Sequence, residues 1–219
     1  RRFASPAVRQ VLRRRMSEFT GILCCLAALA LIVALGSYDA ADPSLNTATD
    51  RAPRNLAGAA GAVVADILVQ GFGFAAGLPI VVLLAWAWRL TTHRGLGMMA
   101  ARLIGLLAGL PVLAAFLALL PLGGTDMAGP GGAAGIIVSN ATLQALSAVL
   151  GPLGTVVAHA LLATLSVVLS FMACGLSAGE WHGAGRAAMQ ASNAAGQAAF
   201  GAARASAERL RREAEEEMA

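Results

Sequence analysis

The chain has no lysine; all 16 of its basic residues are arginine. A phosphate-binding G-x-x-x-x-G-K-[ST] loop needs its lysine to reach the β- and γ-phosphates, so these 219 residues contain no ATPase of that kind. Cysteine is scarce: Cys24, Cys25 and Cys174. The adjacent Cys24 and Cys25 have neither C-x-x-C spacing nor a nearby histidine, and read as small hydrophobes rather than metal or redox ligands. Charge is scarce as well. Charged residues make up 13% of the chain, against about a quarter in soluble domains, which excludes an ordinary soluble domain. Aromatics reach only 5%, with Tyr38 the single tyrosine.

What is present is apolar sequence in long blocks. Hydrophobic residues make up 58% and glycine contributes 25 positions. Small residues let helices approach closely in lipid. A helix needs about 20 apolar residues to cross a bilayer. Four stretches qualify: Phe19 to Gly36, about Ile67 to Trp88, Leu103 to Leu122, and about Gly154 to Leu176. All four read as helices, because an open sheet cannot satisfy its backbone in lipid. The first is longer than a signal peptide's apolar region and reads as an uncleaved anchor. The fold class expected is all-α integral membrane, with four transmembrane helices, interfacial helices and a cytoplasmic helical tail. The expected division is a basic juxtamembrane segment over 1–18, the membrane domain over 19–176 and a linker or stalk over 177–219.

Arginine placement predicts orientation. Arg1, Arg2, Arg9, Arg13, Arg14 and Arg15 precede span one, Arg89, Arg94 and Arg102 lie around the link between spans two and three, and Arg186, Arg204, Arg209, Arg211 and Arg212 follow span four. The link after span one instead carries Asp39, Asp42 and Asp50 beside Arg51 and Arg54, and the link after span three holds only Asp126. Both termini and the middle link are therefore expected in the cytoplasm. The stretch "SYDAADPSLN", Ser37 to Asn46, is then where span one reaches the outer face. Tyr38 suits the headgroup level, and Asp42-Pro43 reads as the helix stop.

Further features are assigned in turn. Asn55 to Ala65 reads as an interfacial helix leading into span two. Asp66 reads as an interfacial acid turned to water rather than an intramembrane proton site, since no other span offers it a base. Pro79 and Pro111 fall inside spans two and three and are expected to kink them. Gly73-x-x-x-Gly77 and Gly105-x-x-x-Gly109 are candidate small-residue packing motifs. His93 and His159 have no carboxylate or cysteine at ligand spacing and read as solvated or packed. The segment before span four reads as an outer link ending in an apolar helical stretch. Trp181 reads as an interfacial anchor, and Glu208–Arg212, Arg209–Glu213, Arg211–Glu215 and Arg212–Glu216 as i,i+4 pairs of a solvated tail helix. The tail ends without a capping signal, so further chain is expected beyond Ala219.

The order "SYDAADPSLNTAT", "RNLAGAAGAVVADILVQGFG", "LPIVVLLAWAWR" resembles the N-terminal four-span membrane domain of the FtsK/SpoIIIE DNA translocases. The resemblance runs through Ser37, Tyr38, Asp39, Asp42, Pro43, Ser44, Asn55, Gly58, Gly61, Ala62, Ala65 and Asp66, with Leu45 standing where an aromatic is common. It implies a bacterial inner-membrane anchor at the division septum, bound to membrane lipids and other division proteins. It also implies assembly as a homo-oligomer, a hexamer, with DNA, ATP and Mg belonging to a motor outside this chain. No catalytic residue, cofactor or metal ligand is expected here. Ser37, Tyr38, Asp39, Asp42, Pro43, Ser44 and Asn55 become a candidate outer recognition loop. A small transporter or channel is the competing class, but it would need paired polar groups within the spans; only Asp66 and His159 are titratable there, and neither has an evident partner.

Overall fold

The computed structural model describes residues 6–122 and 129–175, with a few single positions in the tail. The chain divides into two compact units, Arg1–Gly175 and Leu176–Ala219. In the second unit the described positions, such as Arg186 and Arg204, are helical. Asp126, Trp181 and the paired charges near the C-terminus lie outside the described residues.

The described residues of the first unit form α1 (Pro6–Gly36), α2 (Gly58–Phe72), α3 (Leu78–Thr91), α4 (Met99–Ala118), α5 (Gly132–Leu150) and α6 (Leu153–Cys174). A 3₁₀ segment, Gly73–Gly77, joins α2 to α3. The expected all-α membrane fold is the observed one.

Helix α1 opens with Pro6, whose missing N–H costs nothing at a first helical position, and runs 31 residues. That is about 46 Å at 1.5 Å per residue, longer than a bilayer core, so α1 continues as helix well before Phe19. It packs antiparallel to α3: a Cβ on Gly21 would meet the Thr91 and Leu90 side chains at 2.9 and 3.1 Å. Helices α4 and α6 form the second antiparallel pair. A Cβ on Gly105 would lie 2.7 Å from the Ala173 nitrogen, and one on Gly109 would lie 3.2 Å from Leu169. The Gly105/Gly109 motif is therefore the α4–α6 seam. Trp86 Nε1 donates to the Ala173 carbonyl at 2.8 Å and ties the pairs together. These registers gather Arg14, Arg15, Arg89, Arg94 and Arg102 at one end of the bundle.

Among the described residues five helical stretches are long and apolar enough to cross a membrane, α5 among them. Yet α5 starts and finishes on one side. Gly131 and Gly135 lie against the Ala114 carbonyl, about one turn before α4 ends. The two-residue turn Gly151–Pro152 then hands the chain to α6, with Gly154 pressed on Ser147 and Leu146. Four segments link the two ends: α1, the α2–α3 stretch, α4 and α6. The apolar piece expected in the outer link has become a full 19-residue helix.

Several expectations change in the α2–α3 stretch. Helix α2 starts at Gly58, not Asn55, and continues past Ile67 to Phe72. Gly73 stops it in the left-handed region, φ 57°, tight against the Pro130 carbonyl, where no side chain fits. Gly73 and Gly77 belong to the 3₁₀ break rather than to one helix face: Gly73 packs closely on Pro130, whereas around Gly77 nothing lies within 4 Å of an added Cβ. Pro79 sits in the first turn of α3, where it starts a helix rather than kinking one. Pro111 does lie inside α4, which runs through it.

The burial pattern of α2 identifies its surroundings. Gly61, Ala62, Ala65 and Asp66 are buried, while Val64 and Ile67 are exposed. A water-facing helix has the opposite arrangement. An apolar outer face with its acid turned inward suits a helix bathed in acyl chains.

Candidate functional site

The stretch Ser37–Asn46 emerges from α1 and folds back on the start of α2. Helix α1 has already ended at Gly36, six residues before Asp42, so Asp42-Pro43 is not its stop. Asp42 is buried, and its two carboxylate oxygens accept the backbone N–H groups of Arg54 and Asn55, each at 2.8 Å. Asn55, also buried, donates to the Ala34 carbonyl at 2.8 Å and the Ser37 carbonyl at 3.3 Å. Those carbonyls belong to the end of α1, where helix acceptors have lost their own partners. The Asn55 side-chain oxygen accepts the Ala57 N–H at 3.0 Å, and Ser37 Oγ accepts that of Leu56 at 3.0 Å. Ser44 Oγ accepts the N–H groups of Asn46 and Thr47. Three predicted residues, Ser37, Asp42 and Asn55, thus form one backbone clasp between α1 and α2, while Ser44 closes a local turn of the loop.

Asp39 stands outside the clasp. It accepts the Ala41 N–H and pairs with Arg51 at 2.9 Å, with Arg54 farther off at 3.8 Å. The Ala41 N–H first, then Arg51, holds the Asp39 carboxyl below its ordinary value. Pro43 is half-buried. Two large apolar side chains stand on the loop beside its exposed polar groups: Leu45 is 77% and Leu56 81% exposed.

Below the clasp lies a polar chain. Tyr38 donates to Asp66 Oδ1 at 3.1 Å, Gln70 donates to the same oxygen at 2.6 Å, and Asn46 donates to Gln70 at 3.1 Å. Burial, with the Asp66 carboxylate beside it, pushes the Tyr38 phenol up. Asp66 is 2% exposed and its Oδ2 accepts no hydrogen bond, so it is not the water-facing acid expected. A helix-plus-loop enclosure that pairs residues 28 apart was not legible in its spacing.

At the opposite end, the sequence reading missed a cluster. Arg14 Nε donates to His93 Nε2 at 3.1 Å, and Glu18 pairs with Arg15 at 3.0 Å and Arg14 at 3.4 Å. Arg102, buried, donates to the Cys174 carbonyl at 3.2 Å and closes the C-terminus of α6. His159, by contrast, bonds only locally, to the Thr155 carbonyl. Among the described residues no group of His, Cys, Asp and Glu is placed to hold a metal.

The family model of the 4TM region of DNA translocase FtsK/SpoIIIE matches residues 13–202. The chain belongs to the FtsK/SpoIIIE family. DNA translocase FtsK of Bradyrhizobium diazoefficiens is 36% identical over 80% of this chain and 21% of its own length. That of Azospirillum brasilense is 34% identical over 82% of this chain and 28% of its own, and that of Agrobacterium fabrum 42% identical over 44% and 11%. No solved structure matches. The chain thus spans roughly a quarter of the first two relatives. The clasp and the polar chain lie within the matched FtsK/SpoIIIE membrane region, which makes this a membrane-anchoring domain of a translocase family and leaves the transporter reading without support.

Proposed function

We propose that this domain holds a DNA translocase in the bacterial inner membrane at the division septum, with both termini cytoplasmic. The single observation that carries the reading is the family match over residues 13–202. The chain itself is not an enzyme and holds no cofactor in this reading. ATP and Mg serve a cytoplasmic motor, DNA is met only through that motor, and the domain assembles as a homo-oligomer, a hexamer if it follows the motor. Membrane lipids and other division proteins are its direct partners.

The outer clasp supports contact with division proteins, because it is a rigid platform rather than a simple helix stop. Asp42 and Asn55 build the platform, and Leu45 and Leu56 stand on it, exposed. Two variants separate these roles. Leu45→Ser with Leu56→Ser should leave membrane level and thermal stability unchanged while abolishing septal enrichment of the full-length protein. Asp42→Ala should lower stability as well as enrichment. Normal septal enrichment and partner cross-linking in the double-serine variant would show that this loop is not the contact.

A further inference from the structure

We infer that the arginine-bearing end of the bundle carries a binding site for the phosphate headgroup of an anionic phospholipid, built where α1 meets the link between α3 and α4. The inference rests on the membrane-anchor reading, but not on the septal one.

The sequence separates the two basic runs by dozens of residues, and the fold joins them. Arg14 Nε donates to His93 Nε2 at 3.1 Å, and Glu18 lies 3.4 Å from the same ring nitrogen. Around this junction stand Arg14 and Arg15 of α1, Arg89 in the last turn of α3 and Arg94 of the link, with Glu18 the acid they share. The side chains of Arg14 and Arg15 are 68% and 76% exposed. Guanidinium groups bind phosphate oxygens through charge-assisted, often paired hydrogen bonds.

The backbone at the junction is specialised. His93 has φ 57°, the one left-handed non-glycine among the described residues. It closes α3 with Arg94 N–H donating to the Arg89 carbonyl at 2.9 Å, a cap in which glycine is usual. A histidine held there points to use of its side chain, and the ring is what bridges to α1. In the same turn Arg89 Nε donates to the Gly95 carbonyl at 3.1 Å.

Depth favours lipid over nucleic acid. The α1–α3 register puts Gly21 level with Leu90, so Phe19, Ile22 and Trp88, all exposed, lie beside or just above the arginines. A phosphate at guanidinium height would leave its acyl chains along these residues. A nucleic-acid surface has no use for an exposed Phe and Ile at that level.

The full chain, with Trp181→Phe, is reconstituted in vesicles of phosphatidylcholine containing an equal mole fraction of either dibrominated phosphatidylglycerol or dibrominated phosphatidylcholine. Trp88, 58% exposed, is the reporter, since Trp86 is only 6% exposed. Quenching should be stronger with the glycerol lipid. The preference should fall about fivefold for each arginine charge removed in Arg14→Gln and Arg15→Gln, and Arg14→Lys should retain most of it. Equal quenching by the two lipids, or an undiminished preference in the double glutamine variant, overturns the proposal. So does relief of quenching by inorganic phosphate, which marks a free-anion site, or by a short DNA duplex, which marks a nucleic-acid surface. Variants are compared at matched helix content and melting temperature. Septal enrichment plays no part in the readout, so failure here leaves the anchor reading intact.

Discussion

Asp39 and Asp42 are three residues apart and differ in everything but charge. Asp42 is enclosed and satisfies two backbone N–H groups. Leaving buried donors unpaired costs about 1–3 kcal/mol each, so Asp42→Ala should destabilise the domain by at least about 2 kcal/mol in thermal unfolding in detergent. Asp39 is an open-sided ion pair with Arg51, and solvent screens such pairs so that they add little to stability, so Asp39→Ala should barely move the midpoint. The pH response follows from its depressed folded value. Its contribution is present above the unfolded value, 3.8, and is lost as pH falls through the lower folded value. Loop order, followed by a spin label at Asn46, should therefore persist down to that value and loosen only beneath it. His93 gives a second test. His93→Gly should leave stability near wild type, since glycine suits its φ, whereas His93→Val should lower it by about 1 kcal/mol or more.

Glycine pairs that look alike in sequence behave differently as parts of elements. Gly105 is closed in by the α6 backbone and Gly77 faces open space. Gly105→Ala should force α4 and α6 apart, at about 1–3 kcal/mol. Gly77→Ala should be neutral or stabilising by up to about 1 kcal/mol; a melting series on the two variants decides it. Helix α2 is the other informative element. With Val64 and Ile67 outward and Asp66 inward, a spin label at Ile67 should relax with dissolved oxygen and not with a water-soluble nickel complex. A label at Leu56, in the exposed turn just before α2, should respond to the nickel complex more strongly. Strong nickel access at Ile67 would place α2 in water.

At the scale of the whole molecule, the antiparallel pairs α1–α3 and α4–α6 leave both ends of the first unit on the arginine side, because α5 stays at the other end. A reporter active only outside the membrane should therefore work when fused near Asp50 or Leu150 and fail near His93. Activity at Leu150 alone separates this arrangement from a five-crossing one, in which α5 would carry the chain through. The α4–α6 seam also uses up the Gly105/Gly109 face within one chain, so assembly of copies must draw on other surfaces.

The membrane class and the helical fold were legible in the chain because each depends on composition and on runs of like residues. Apolar length, arginine bias and the outer-loop motif survive without knowledge of any contact. What only the tertiary structure decided depends on pairs remote in sequence. Asp42 reaches Arg54 and Asn55, Tyr38 reaches Asp66, and Arg14 reaches His93. Asp66 looked like a water-facing acid because its donors, Tyr38 and Gln70, are not bases and left no charge pattern to read. Gly73 does pack closely, but spacing does not disclose φ: its left-handed backbone against Pro130 makes it the point where α2 ends. And α5 was long and apolar enough to cross a bilayer, yet close contact of Gly131 and Gly135 with Ala114 holds it to one side.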